Sequence, residues 1–217
     1  MHKPNALVEF DVKDTLDWDP AIDDARISVK ADDGVVTLTG TVPTYRQSLL
    51  AARHASTVGG VHDVDNELLV GERGREITDA ELQGACEEAI DRDRFVPTGA
   101  VAVTVDGGRV TLRGHVRHHY QRRAAEHAVS HVDGVLGIDN AIVISSDPVP
   151  GDVARRIHKA LKRDALVDDS LIEVTNRGST VYLDGTVDSY LARLEAVDTA
   201  YDAPGVTDVV DRLTFAL

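Results

Sequence analysis

Cysteine is almost absent from this chain of 217 residues. Cys86 stands alone, which excludes an intramolecular disulfide and any all-cysteine metal site. Aromatic residues are scarce too, at 4%. No window approaches the roughly 18 apolar residues that a membrane span requires. The stretch from Met1 to Asp11 has no apolar leader core, since Glu9 and Asp11 fall where one would lie. It predicts a cytoplasmic chain, peripheral to a membrane at most. Basic charge is in deficit: 23 Lys and Arg face 37 Asp and Glu, for a net charge of −14. That field opposes non-specific binding to nucleic acid. Enzyme signatures are missing as well, with no Gly-x-x-x-x-Gly-Lys loop, no Gly-x-Ser-x-Gly elbow and no His-Glu-x-x-His pair. No catalytic residue, cofactor or metal is therefore expected.

What the chain does have is an internal repeat, and repeats decide architecture. Three segments read alike: Val35 to Val42, Arg109 to Val116 and Thr180 to Val187, with Gly40, Gly114 and Gly185 in register. Twenty residues after each comes Gly-Val, at Gly60-Val61, Gly134-Val135 and Gly205-Val206. The register continues to Asn66, Asn140 and Asp211. Upstream, Val8, Val12 and Leu16 align with Leu82, Cys86 and Ile90, and with Val153, Ile157 and Leu161. Apolar residues at i, i+4 and i+8 mark a short amphipathic helix. This puts Cys86 on a buried stripe as a small hydrophobe.

Two strands follow in each repeat, joined by tips rich in Gly and Asn or Asp, such as Asp32-Asp33-Gly34, which suit a tight hairpin. Alternation places Gly40 on the core face with Val36, Leu38 and Val42, where it predicts a bulge or the close approach of a helix backbone. A second helix opens at Thr44 and Ser189, natural N-caps, and buries small residues such as Ala51, Ala55 and Val58. A last strand closes each unit. The fold class is thus α+β: three tandem α-β-β-α-β modules over 5–72, 77–146 and 150–217. Each is expected to hold a small mixed three-stranded sheet with two helices on one face. Short linkers at 71–76 and 145–151 separate them. Units near 70 residues have marginal cores, so the three are expected to pack together, with their open sheet faces as candidate contacts.

These motifs resemble the BON domain family. Its hallmark is carried by Asp33-Gly34-Val35-Val36-Thr37-Leu38-Thr39-Gly40-Thr41-Val42 followed by Gly60-Val61-His62-Asp63-Val64-Asp65-Asn66-Glu67-Leu68. The second and third units keep the pattern, except that Asp211 replaces the asparagine. The resemblance implies a non-enzymatic binding module associated with phospholipid or membrane surfaces, envelope functions and stress tolerance. Other members of the family pair the domain with a peptidoglycan-binding module and sense potassium.

Candidate binding residues fall in the middle unit, which holds five of the nine histidines. Arg123, His127 and His131 recur at i, i+4 and i+8 on the second helix, on a face expected to meet solvent. With Arg117 and Arg122 they form a candidate patch for an anionic phospholipid surface, expected to strengthen as imidazoles charge at low pH. Asn66, Asn140 and Asp211 are expected to tie down the preceding loop. The acidic cluster of Asp11, Asp14, Asp17 and Asp19 reads as a solubilising face rather than a calcium loop. Two other functions stay open: a small-ligand or ion sensor, and a self-assembling structural protein.

Overall fold

The computed structural model describes residues 3–71, 77–145, 151–163, 167 and 171–215. The first unit runs α1 (Asn5–Asp17), β1 (Ile27–Asp32), β2 (Val35–Val42), α2 (Tyr45–Ser56) and β3 (Asp63–Val70). The second runs α3 (Asp79–Arg92), β4 (Val101–Asp106), β5 (Arg109–Val116), α4 (His119–Ser130) and β6 (Gly137–Ile144). The third runs α5 (Val153–Leu161), β7 (Ile172–Arg177), β8 (Thr180–Val187), α6 (Tyr190–Tyr201) and β9 (Asp208–Phe215). Most of both linkers, 72–76 and 146–150, lies outside the described residues.

Each unit has its own three-stranded sheet, in the order β1-β2-β3, β4-β5-β6 or β7-β8-β9. The first pair is an antiparallel hairpin, and the last strand joins parallel to the central one after crossing over through the second helix. The first-helix stripes are buried in all three units, Cys86 included. They face Val36 and Leu38, Val110 and Leu112, or Val181 and Leu183 from the central strands. Alanines let the second helix lie close to the sheet: Ala51 and Ala55, Ala125, and Ala196 with Ala200 are fully covered. Thr44 and Ser189 cap their helices through their side-chain oxygens.

Of the two causes expected for the repeated strand glycine, a close backbone approach holds and a bulge does not. The ladder passes through Gly40, Gly114 and Gly185 without a bulge. The close neighbour is the backbone entering the first strand, which in the first unit is the end of a short 3-10 helix (Asp24–Arg26) rather than either α-helix. A Cβ on each glycine would sit 2.0 Å from the carbonyl oxygen of Arg26, Ala100 or Leu171. The φ values of +120°, +152° and +138° also disfavour any side chain.

The polar residue of the last strand ties that strand to the second helix rather than to the preceding loop. Asn66 donates from Nδ2 to the Ser48 carbonyl and hydroxyl, at 3.1 and 2.9 Å. Asn140 donates to the Arg122 carbonyl and to a Glu126 carboxylate oxygen, at 3.2 and 2.9 Å. In the third unit the chemistry changes while the positions hold. Asp211 accepts from Arg193 at 2.6 Å, and Arg193 is the repeat equivalent of Ser48 and Arg122.

The first residue of each second helix, Tyr45, His119 or Tyr190, touches another unit. Tyr45 packs against the core of the second unit, where the Ile138 backbone N–H meets its hydroxyl. His119 stacks on Tyr201 of the third unit, with ring centres 4.2 Å apart and planes within 14°. Tyr190 sets its hydroxyl beside the Asp63 carboxylate of the first unit. His62 and Phe215 stack at 4.5 Å across that same seam. Contacts therefore run first to second, second to third and third back to first, in an approximate three-fold ring. A cleft of about 300 Å3 at the junction draws Arg53 and Val64, Arg123, and Tyr190 with Asp198 from the three units in turn. Thr37, Thr39 and Thr41, the open sheet face expected to carry these contacts, make none of the ring contacts just described.

Candidate functional site

The middle unit carries the most distinctive surface, and local turns build it. After α3, the Asp93 carboxylate accepts the backbone N–H of Phe95 at 2.8 Å. That turn sends Val96 into the core and leaves Phe95 outside, 49% exposed. Between β5 and α4, the Gln121 side-chain oxygen accepts the backbone N–H of both Arg117 and His118, at 2.9 and 3.1 Å. This fixes the start of α4 and turns Tyr120 outward, 47% exposed. The Phe95 and Tyr120 rings then meet edge to face at 6.2 Å.

Cations flank this pair. The Arg94 guanidinium lies 4.7 Å from the Phe95 ring centre, a cation–π distance. His118 stacks on Tyr120 at 5.4 Å. Arg117 is exposed at the same turn. Beside the rings runs an open groove of about 600 Å3, lined by Phe95, Tyr120, Ala124, Arg123, His127 and two acids, Asp93 and Asp202. An aromatic floor beside mobile cations can take an apolar chain and an anionic group together.

The predicted patch residues divide. Arg117, Arg123 and His127 sit on or beside this groove. Arg122 is half-buried and donates to the Asn140 carbonyl at 3.1 Å, so its guanidinium is committed to the fold. Arg123 pairs with Asp198 of the third unit at 2.6 Å, so the face expected to meet only solvent also meets a neighbouring unit. His127 and His131 lie ring to ring at 4.4 Å, and His131 Nδ1 contacts the His127 carbonyl at 2.8 Å. Burial first, and then His131, hold the His127 imidazole below its usual range. His127 thus stays neutral to lower pH than the sequence reading assumed. Among the described residues no group of His, Cys, Asp and Glu could hold a metal ion.

Arg94, Phe95 and Tyr120 escaped the sequence reading. The sequence carried part of their signal, scarce aromatics close to cations, with Phe95 beside Arg94 and Tyr120 two residues after His118; it did not carry their exposure. The acidic cluster gains definition too. Asp19 accepts from His54 at 2.8 Å and from the Ala21 backbone, and these bonds hold its carboxyl below the usual range.

Small α+β repeats, each with structural glycines at fixed places, define a class of tandem-module proteins. The BON domain model matches three times, over residues 5–72, 78–146 and 151–216. The chain belongs to the BON domain family. It is 34% identical over 123 residues to osmotically-inducible protein Y of Escherichia coli (strain K12), a match covering 52% of this chain and 59% of that protein. Thus the match spans little more than half the length of that curated relative. Among solved structures, CdsD, a structural protein of the type III secretion system of Chlamydia trachomatis, aligns over 95% of this chain and 92% of its own, at 15% identity and a TM-score of 0.26. Its C-terminal domain aligns over 96% of each chain with the same identity and score. At that score neither likeness carries weight. No helix among the described residues is long and apolar enough to cross a membrane.

Proposed function

We propose that this chain is a non-catalytic, stress-related binding protein that docks on anionic phospholipid surfaces through the middle unit. One observation carries the reading. The exposed Phe95–Tyr120 pair is ringed by Arg94, Arg117 and His118 within an acidic chain. Aromatic rings favour the headgroup level of a bilayer. Each arginine near an anionic leaflet adds about 1 kcal/mol, which falls away as salt rises. The other units lack the arrangement: Arg46 and Leu191 occupy the positions of Tyr120. The similarity to osmotically-inducible protein Y supports the stress-related part.

Co-sedimentation of the intact chain with phosphatidylglycerol vesicles and with phosphatidylcholine vesicles tests it, at pH 6 and 7.5. The expected result is pelleting with the anionic vesicles only, lost in F95S/Y120S and in high salt. Equal pelleting of that variant, or none of the wild type at either pH, overturns the reading.

A further inference from the structure

The first helices of the three units turn very different faces outward. On α1 the outward arc holds Leu7, Phe10, Asp14, Asp17 and Trp18, within about 100° of the helix circumference. Leu7 is 48%, Phe10 65% and Trp18 77% exposed. This is a concentrated apolar surface in a chain with a single tryptophan and three phenylalanines. Across the repeats the same positions change character. Phe10 corresponds to Gly84 and Arg155, Asp14 to Glu88 and Lys159, Asp17 to Asp91 and Lys162, and Trp18 to Arg92 and Arg163. The outward arc of α5 and the residues after it is therefore mainly basic, with Arg155, Lys159, Lys162 and Arg163 all exposed; its one acid, Asp152 in the place of Leu7, is paired to Arg155 and Arg156. Within the chain, α1 packs on β1 and α2, and α5 on β7 and α6, so neither outward face is consumed by its own unit.

We infer that the outward face of α1 is an interaction surface for a second copy of this chain, which it meets on α5. Charge selects the occupant. Two α1 faces would bring Asp14 and Asp17 against the same carboxylates, and two α5 faces would set lysine against lysine. The acidic α3 lacks the aromatic residues. Of the two acidic faces that complement α5, only α1 adds aromatic residues to the opposite charges. Shape agrees. Alongside α5 the described residues leave an open hollow of about 620 Å3, walled by Arg155, His158, Leu171, Ile172 and Val174. Glu173 and Asp184 also line it, so an indole or phenyl ring would enter against the apolar wall of Leu171, Ile172 and Val174, on the side where Arg155 can cover its face. The contact is head to tail, since the donor and acceptor faces differ. Repetition then gives open chains or large rings of copies rather than a closed pair. It uses neither Phe95 nor Tyr120, so it stands apart from the phospholipid reading.

The test is sedimentation velocity of the intact chain over rising concentration, up to millimolar, in low and in high salt. Wild type is expected to associate in low salt, with species growing beyond dimers and dissociating in high salt. W18S/F10S should weaken association at least about ten-fold, as should D14K/D17K alone or K159E/K162E alone. All these positions are exposed, and a wild-type thermal unfolding curve confirms that each variant folds. Joining D14K/D17K with K159E/K162E in one chain should restore association. Monomers throughout overturn the inference, as does association that W18S/F10S leaves intact or that the double charge swap fails to restore. K159E/K162E losing anionic-vesicle binding while wild type stays monomeric assigns α5 to lipid instead and overturns it equally.

Discussion

Acidification should loosen the seam between the second and third units, and His119 is the cause. Its imidazole is 9% exposed and lies flat on Tyr201, and its Nδ1 has no hydrogen-bond partner among the described residues. Four charged groups face it: Asp198 and Asp202, which favour the imidazolium, and Arg123 and Arg122, which oppose it. Burial outweighs them all and holds the imidazole below its ordinary value of 6.5. The unfolded chain therefore takes up the proton first. The stabilising contribution is complete above pH 6.5 and is lost as pH falls through and below that value. Protonation would place a second N–H donor where no acceptor stands, at a cost of about 1–3 kcal/mol. For a chain of this size that lowers Tm by about 2–10 °C. The assay is thermal unfolding by circular dichroism from pH 8 to 5, wild type against H119F and H119Y. Tyrosine is the residue that the other two seams use at this position, and neither variant titrates in this range. The difference in Tm between wild type and each variant should move by that amount across the window. A difference that stays constant with pH refutes the argument.

Three further outcomes follow from the geometry. Gly114→Ala forces a Cβ to 2.0 Å from the Ala100 carbonyl oxygen and should cost about 3–5 kcal/mol in urea unfolding. Asn140→Ala removes the bonds to the Arg122 carbonyl and Glu126 and the acceptor for the Ile142 backbone N–H, and should cost about 1–2 kcal/mol in the same measurement. Burial pushes the Cys86 thiol up to about 11, so a disulfide reagent at pH 8 should label the native chain at least about 100-fold more slowly than the unfolded one, as followed by absorbance.

The units themselves were legible because their signals are local. Val8, Val12 and Leu16 recur at helical spacing, and Gly40 and Gly60 recur at fixed distances in each repeat. The ring of units was not legible. Tyr45, His119 and Tyr190 occupy one repeat position, but they differ in type and reach partners far along the chain. The role of Asn66 was misread for a related reason. Its partners are the carbonyl and hydroxyl of one helix residue, Ser48, which neither residue type announces, whereas Arg193 and Asp211 display opposite charges at the same two positions. On the candidate surface, Arg117, Arg123, His127 and His131 stood out by charge alone. Charge does not reveal that Arg122 spends its guanidinium on a carbonyl. The exposure of Phe95 depends on one turn made by Asp93, a contact that only the folded backbone brings about.

The central claim is that the middle unit meets an anionic phospholipid surface with its Phe95–Tyr120 face. Hydrogen–deuterium exchange of the intact chain, with and without phosphatidylglycerol vesicles, tests it most directly. Slowed exchange confined to residues 93–96 and 117–124, absent with phosphatidylcholine, is the predicted result. Unchanged exchange there while another unit becomes protected would contradict it.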